Sequence, residues 1–397
     1  MRLITLLCVC LALTGCATMD TLSESVDGIS NYFKGGEDNS DPPSALLEYT
    51  PEIKIQEFWK ESVGVGADEQ SLKLIPASGF GKLLIADREG LVEARDLDTG
   101  RVIWEVKTEL NLSAGPGLGA GTVILGSSDA DVVALNADTG VQLWKTKVSS
   151  EVLSVPVVAN DIVVVRTTDG EMVALSEKTG GKRWNYEHNA PALSVRGIGA
   201  PLIVGEHVIE GYDNGKMIAL RLLDGKYAWE TTVAIPKGRS EVERLVDLDV
   251  DPIEVAGVVY IASYRGGAAA ISEADGEVMW RNDAISSYTG MTNDFRHLYL
   301  SDATDDVWQI EQRTGASLWK QKELHQRKLT APAVYGSYVV VGDFEGYVHW
   351  LSVNDGRQLG RVKIADSAID AKPLVVNDTV YIYAKDGTLA ALRVATN

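Results

Sequence analysis

Short runs of valine, isoleucine and leucine, each bounded by a turn that carries glycine or proline, follow one another along most of this chain. A run opens after a proline, as in Pro156-Val157-Val158 and Pro332-Ala333-Val334. A second follows, such as Ile162-Val163-Val164-Val165 or Tyr338-Val339-Val340-Val341. A turn, Asp169-Gly170 or Phe344-Glu345-Gly346, leads to a third, such as Met172-Val173-Ala174-Leu175. Another turn, often Asp-Thr-Gly, opens a run built around tryptophan, as in Asp138-Thr139-Gly140 before residues 141–148. Runs of this length between turn residues predict strands. The glycines belong at the turns because tight hairpins hold a residue at positive φ, which costs little only for glycine.

This group of four runs recurs. Gly-x-x-x-Trp appears at Gly100…Trp104, Gly140…Trp144, Gly180…Trp184, Gly225…Trp229, Gly276…Trp280 and Gly315…Trp319, roughly every forty residues. A period of that length predicts stacked four-stranded units, each burying its faces against its neighbours, and so argues against two separate domains. Tryptophan supplies an apolar plate and an N–H donor that can wedge between units. Four strands per unit describe a β-propeller.

The termini complete the count. The last third-strand pattern, residues 386–392, is followed by only a few residues and no tryptophan. The missing tryptophan strand stands at the other end, within Pro51-Glu52-Ile53-Lys54-Ile55-Gln56-Glu57-Phe58-Trp59. Pairing the two ends closes the ring and removes its open edges. With Trp59 and a degenerate repeat at Gly356…Gly360, the expectation is an all-β, eight-bladed propeller over residues 50–397.

The N-terminus has a different character. Met1-Arg2 precedes an apolar run from Leu3 to Leu13, too short to span a bilayer and ordered as a secretory signal. Leu13-Thr14-Gly15-Cys16 resembles the bacterial lipobox, which implies removal of residues 1–15 and lipidation of Cys16. The alternative is an ordinary signal with a chance cysteine. Cys8 and Cys10 lie in the removed part, so the mature chain keeps Cys16 alone and forms no internal disulfide. Under the lipobox resemblance, Ala17 after the cysteine implies sorting to the outer membrane. Residues 16–49 are polar and rich in Gly, Ser and Pro near their end, and read as a lipidated tether reaching roughly 30 Å as a flexible coil.

Composition narrows the function. A formal net charge of −19 disfavours nucleic acid and anionic head groups, whose binding needs Lys/Arg patches. The five histidines show no metal-ligand spacing. The glycine-rich run 115–121 precedes a strand rather than opening a helix, and reads as a loop crossing into Val123-Ile124-Leu125 instead of a phosphate cradle. No Gly-x-Ser-x-Gly elbow and no carboxylate pair stands out. We therefore expect no catalytic residues, no metal and no cofactor.

The gap from tryptophan to the next blade's opening proline is 12 residues after Trp104 and Trp144, but 17 after Trp184 and 23 after Trp229. Insertions on consecutive inter-blade links fall on one face of the ring, where repeat proteins often bind partners. In the first insertion, alternation sets Leu193 and Val195 on one side next to Arg196, an apolar pair with a cation at its rim. Alternatively, the pair plugs the loop onto the barrel. In the second, Asp247, Asp249 and Asp251 recur at every second residue. Pro252 and Val258 stand where a calcium loop needs Gly and Glu, so the carboxylates either face a cationic partner or pair internally with Arg196 or Arg244 as a brace.

The Asp-x-x-Thr-Gly-x-x-x-Trp grammar resembles the quinoprotein repeat, which implies a periplasmic dehydrogenase using pyrroloquinoline quinone. Those enzymes are longer and hold the quinone beside a vicinal disulfide that this mature chain cannot form. At Leu193-Ser194-Val195-Arg196-Gly197 and Arg244-Leu245-Val246-Asp247-Leu248-Asp249 the chain resembles the BamB family, propeller lipoproteins of the outer-membrane β-barrel assembly (BAM) complex. That resemblance spans lipobox, tether, eight repeats and both loops. It implies a non-catalytic scaffold, lipid-anchored on the periplasmic face of the outer membrane of a Gram-negative bacterium. It further implies that Leu193, Val195, Arg196, Asp247 and Asp249 contact a periplasmic POTRA domain of BamA. Val195 stands where the family has leucine. Exposed propeller edges holding unfolded β-barrel clients by β-augmentation are a further reading, and a propeller binding some other cell-envelope partner is another.

Overall fold

The computed structural model describes residues 41–68, 70–188, 199–235, 246, 248 and 250–395. All regular structure among them is β-strand, arranged as eight antiparallel blades. Blades one to seven span 77–107, 112–147, 157–187, 202–232, 253–282, 291–321 and 333–363. Blade eight joins strands within 374–394 to Ile55–Ser62.

Position within a blade explains the sequence pattern. Second and third strands, such as Lys82–Ala86 and Leu91–Asp96, are buried along nearly their whole length because neighbouring blades cover both faces. They therefore read as unbroken apolar runs rather than as alternation. Outer strands are wet on one side: in Val102–Lys107 the tryptophan is buried while the residues beside it are exposed.

The Gly-x-x-x-Trp signature is one half of a joint between blades. Each tryptophan donates its indole N–H to a carbonyl at the third-to-fourth strand turn of the following blade. The acceptors run from Leu97 for Trp59 (3.1 Å) and Ala137 for Trp104 (3.0 Å) round to Val353 for Trp319 (3.0 Å). The ring lies on that turn's glycine. A Cβ built on Gly100, Gly140, Gly180, Gly225, Gly276, Gly315 or Gly356 comes within 2.5–2.7 Å of a ring carbon of the preceding tryptophan. These glycines also hold φ between +67° and +76°, so both conformation and contact demand the missing side chain.

The ring closes as the termini predict. Ile55–Ser62 runs antiparallel to Thr388–Val394, with Ile55 opposite Val394 and Ser62 opposite Thr388. The degenerate repeat also finds its reason here. Gly360 stands where blade seven would carry tryptophan, and the space is filled from the other end of the chain: a Cβ on Gly360 would meet Ile53 at 2.8 Å and Ile55 at 3.0 Å. The entering segment is strapped along blade seven. Ser44 N–H donates to His325 O, Arg327 donates to Ser44 O, and Glu52 N–H donates to Leu359 O.

One expectation needs correction. The glycine-rich run 115–121 is not simply a loop, because Leu112–Leu118 is the innermost strand of blade two. Innermost strands converge on the axis, and a Cβ on Gly117 would lie 2.0 Å from Pro156 O in the next blade. Glycine serves close approach at this place, not chain reversal. Against the same strand lies a two-residue strand, Lys73–Leu74, paired parallel with Ala114 and Gly115 on the way into blade one.

Candidate functional site

The links between successive blades and the turns between second and third strands emerge on one face of the ring, as the antiparallel order of each sheet requires. Both long insertions leave and rejoin the ring on this face, between blades three and four and between blades four and five. The residues read as partner contacts, Leu193, Val195, Arg196, Asp247 and Asp249, lie outside the described residues, as does Cys16. What the structure describes is the part of the ring from which the two insertions leave and to which they return.

The first insertion starts above an ionic platform. Arg166 of blade three is buried and bonds Glu210 at 3.0 Å and Asp213 at 3.2 Å in blade four. Its guanidinium lies 5.6 Å from the ring centre of Tyr212. His188, the last described residue before the insertion, packs on the same ring at 4.1 Å between centres. Asn214 bonds the His188 Nε2 at 3.0 Å, and burial pushes this imidazole below its ordinary pKa, favouring the neutral form. Paired charges and a tilted ring contact thus hold the root of the loop on a stiff base.

The second insertion is stitched into the core. Val246, Leu248 and Val250 are all buried, the first two in a cluster with Ile209, Met217, Trp229 and Ile261. Two glycines of blade four make room: a Cβ on Gly211 would meet Leu248 at 2.7 Å, and one on Gly215 would meet Val246 at 3.0 Å. Every second residue here is core, as in a half-buried strand.

Asp251, the last of the alternating aspartates, joins the two insertions. Its Oδ1 accepts the N–H of Ala200, where the first insertion returns to blade four, at 2.7 Å. Both carboxylate oxygens accept from Lys73 Nζ, at 2.7 and 2.8 Å. This aspartate therefore has an internal partner in Lys73; the Arg196 and Arg244 that the sequence offered lie outside the described residues. Nearby, Lys372 donates to Met291 O at 2.8 Å; burial pushes its amine down to about 8, and Asp251 pulls the other way. Nothing near Lys73 in the sequence marks it. The only sequence signal was the third aspartate of the alternation.

The histidines are each engaged by a neighbour. His207 meets Glu273 at 2.8 Å, His297 meets Asp294 at 3.0 Å, His325 meets Asp306 at 3.0 Å and His349 meets Asp343 at 2.9 Å. Among the described residues no three His, Cys, Asp or Glu side chains converge to hold a metal ion.

Comparison with known proteins resolves which propeller family this is. The family model described as outer membrane protein assembly factor BamB matches residues 88–321 and 313–397. The BamB protein of Alkalilimnicola ehrlichii is 50% identical over 341 residues, 86% of this chain and 89% of that protein. That of Pseudomonas aeruginosa is 46% identical over 353 residues, covering 89% and 93%. The chain belongs to the BamB family. The crystal structure of BamB from Moraxella catarrhalis superposes with a TM-score of 0.77 at 26% identity, covering 86% of this chain and all of that one. The quinohemoprotein alcohol dehydrogenase of Comamonas testosteroni superposes at a TM-score of 0.67 over 88% of this chain and 78% of its own, at 12% identity. That likeness concerns the fold alone, and BamB membership carries the functional argument.

Proposed function

We propose that this protein is a non-catalytic scaffold of the outer-membrane protein assembly machinery, docking on a POTRA domain of BamA through its two long insertions. The observation that carries the reading is the seating of the second insertion in a chain of this family. Val246, Leu248 and Val250 are committed to the core, and we take the intervening Asp247 and Asp249, together with Leu193, Val195 and Arg196 of the first insertion, as the residues offered to the partner. A cation, an apolar pair and carboxylates are the chemistry of a protein-binding hot spot. In this reading residues 1–15 are removed, Cys16 is lipidated, and the residues between Cys16 and the strap that begins at Ser44 tether the propeller to the periplasmic face of the outer membrane.

The test is affinity for the purified periplasmic region of BamA. Arg196→Ala, or Asp247→Ala together with Asp249→Ala, is expected to weaken binding by about 2 kcal/mol, roughly thirtyfold, with an unchanged melting temperature. Unaltered affinity in both variants rejects the assignment. The quinoprotein reading has its own assay: dye reduction with alcohols after reconstitution with pyrroloquinoline quinone and calcium, for which we expect no turnover.

A further inference from the structure

We propose that Lys73 and Asp251 form a clamp on the inner side of the ring that fixes the two docking insertions relative to each other. Lys73 is then a positioning residue for partner binding although it belongs to neither insertion. The proposal rests on the docking reading above.

The geometry is specific. Lys73 lies on the short strand at the inner edge of the blade-two sheet and Asp251 on the path into blade five, three blades further round the ring of eight. Their ion pair therefore joins the inner edge of blade two to the link that enters blade five. Asp251 gives Oδ1 to Ala200 N–H as well, so one carboxylate ties the return of the first insertion to that of the second. Its cationic partner is rigidly held: Lys73 is paired through its backbone to the innermost strand of blade two, and only 13% of its side chain is exposed. Without the lysine, the N–H of Ala200 is the hydrogen-bond donor left to the Asp251 side chain among the described residues. The blades themselves are joined by tryptophans and apolar clusters that do not include Lys73. Loss of the clamp thus loosens the insertions and leaves the ring intact.

Recognition by residues on two separate loops depends on their mutual position, and coupling of this kind typically alters affinity by about tenfold. The experiment compares Lys73→Met, Asp251→Asn, their double variant, Lys73→Arg, Arg196→Ala and the Asp247→Ala, Asp249→Ala double variant in the full-length protein. Binding to the purified periplasmic region of BamA, melting temperature and amide hydrogen exchange are measured for each. We expect Lys73→Met and Asp251→Asn each to weaken binding about tenfold through faster dissociation, and the double variant to be no worse than either single change. Amides at Ala200 and through residues 246–250 should lose protection while those of the blades keep it, and Lys73→Arg should restore both readouts. If Arg196→Ala weakens binding but Lys73→Met and Asp251→Asn do not, the clamp is overturned and the docking reading stands. If Arg196→Ala and the Asp247→Ala, Asp249→Ala double variant also leave binding unchanged, the docking reading fails and takes the clamp with it. Loss of protection throughout the blades in Lys73→Met, or failure of that variant to fold, together with normal binding by Asp251→Asn, would make Lys73 a structural residue and overturn the proposal.

Discussion

At the scale of single residues, the glycine of each Gly-x-x-x-Trp repeat carries two constraints that can be separated. Gly180 has φ +69°, and a Cβ there would lie 2.4 Å from Thr146 Oγ1 and 2.6 Å from the Trp144 ring. Gly81 has φ +72° but nothing within 4 Å of the same position. Gly81→Ala is expected to cost only the left-handed backbone penalty of about 1 kcal/mol. Gly180→Ala adds overpacking at a joint between blades and should cost about 2–4 kcal/mol. Urea titration of the two variants checks the difference; equal midpoints would show that the tryptophan joint tolerates a methyl group. A second residue-scale prediction concerns pH. Burial pushes His349 below its ordinary pKa despite the bond to Asp343, and its Nδ1 finds no partner, so the ring is neutral with Nε2–H donating to the carboxylate. Burial alone would raise Asp343, but bonds from His349, Tyr347 N–H and Arg327 outweigh it and hold the carboxyl below its usual range. Both shifts have the same sign. The unfolded chain takes up a proton at His349 below about pH 6.5 and at Asp343 below about pH 3.8, where the folded form resists it, so stability present at neutral pH is lost on acidification. Melting temperature should fall from pH 7 to pH 5, and the fall should be shallower in His349→Gln.

At the scale of elements, the joints that repeat locally were legible and those made once were not. Each blade is spelled out within forty residues because its turns, buried runs and tryptophan are sequence neighbours. The closing strand was also legible, since a tryptophan strand stranded at one end answers its absence at the other. The degenerate seventh repeat was visible as a defect, but the filling of its gap by Ile53 and Ile55 joins residues roughly three hundred apart and leaves no local pattern. The inner strand of blade two was misread because glycine marks a tight turn and a close approach alike, and only the neighbouring Pro156 carbonyl tells them apart. A prediction belongs at this level. Deleting residues 50–60 removes the partner of Thr388–Val394, the Trp59 joint to blade one and the filling of the Gly360 gap together. The product should lose cooperative urea unfolding and associate through its exposed edge, seen as oligomers on gel filtration. A compact cooperative monomer would show that the ring holds without its closure.

At the scale of the whole molecule, the candidate site was legible only in outline. Unequal links between blades singled out one face of the ring, and family resemblance supplied Leu193, Val195, Arg196, Asp247 and Asp249 as candidates. The part of the ring that the insertions leave and rejoin could not be read. Arg166, Glu210 and Asp213 come from two blades, and Lys73, beside the inner strand of blade two, meets Asp251 on the path into blade five. Long-range ion pairs have no spacing rule, since either partner satisfies local patterns equally well without the other.

Pairing Ile55 with Val394 also sets an order of events in biosynthesis. The first strand to be synthesised waits for the last hairpin, so the eighth sheet forms only after almost the entire polypeptide has been released. Until then the outermost backbone groups of both ends stay unsatisfied, and the nascent chain depends on protection from stray association in that interval. A circular permutant that splices residue 395 to residue 54 and opens the chain at the Gly81 turn would shorten the wait to that of an ordinary hairpin.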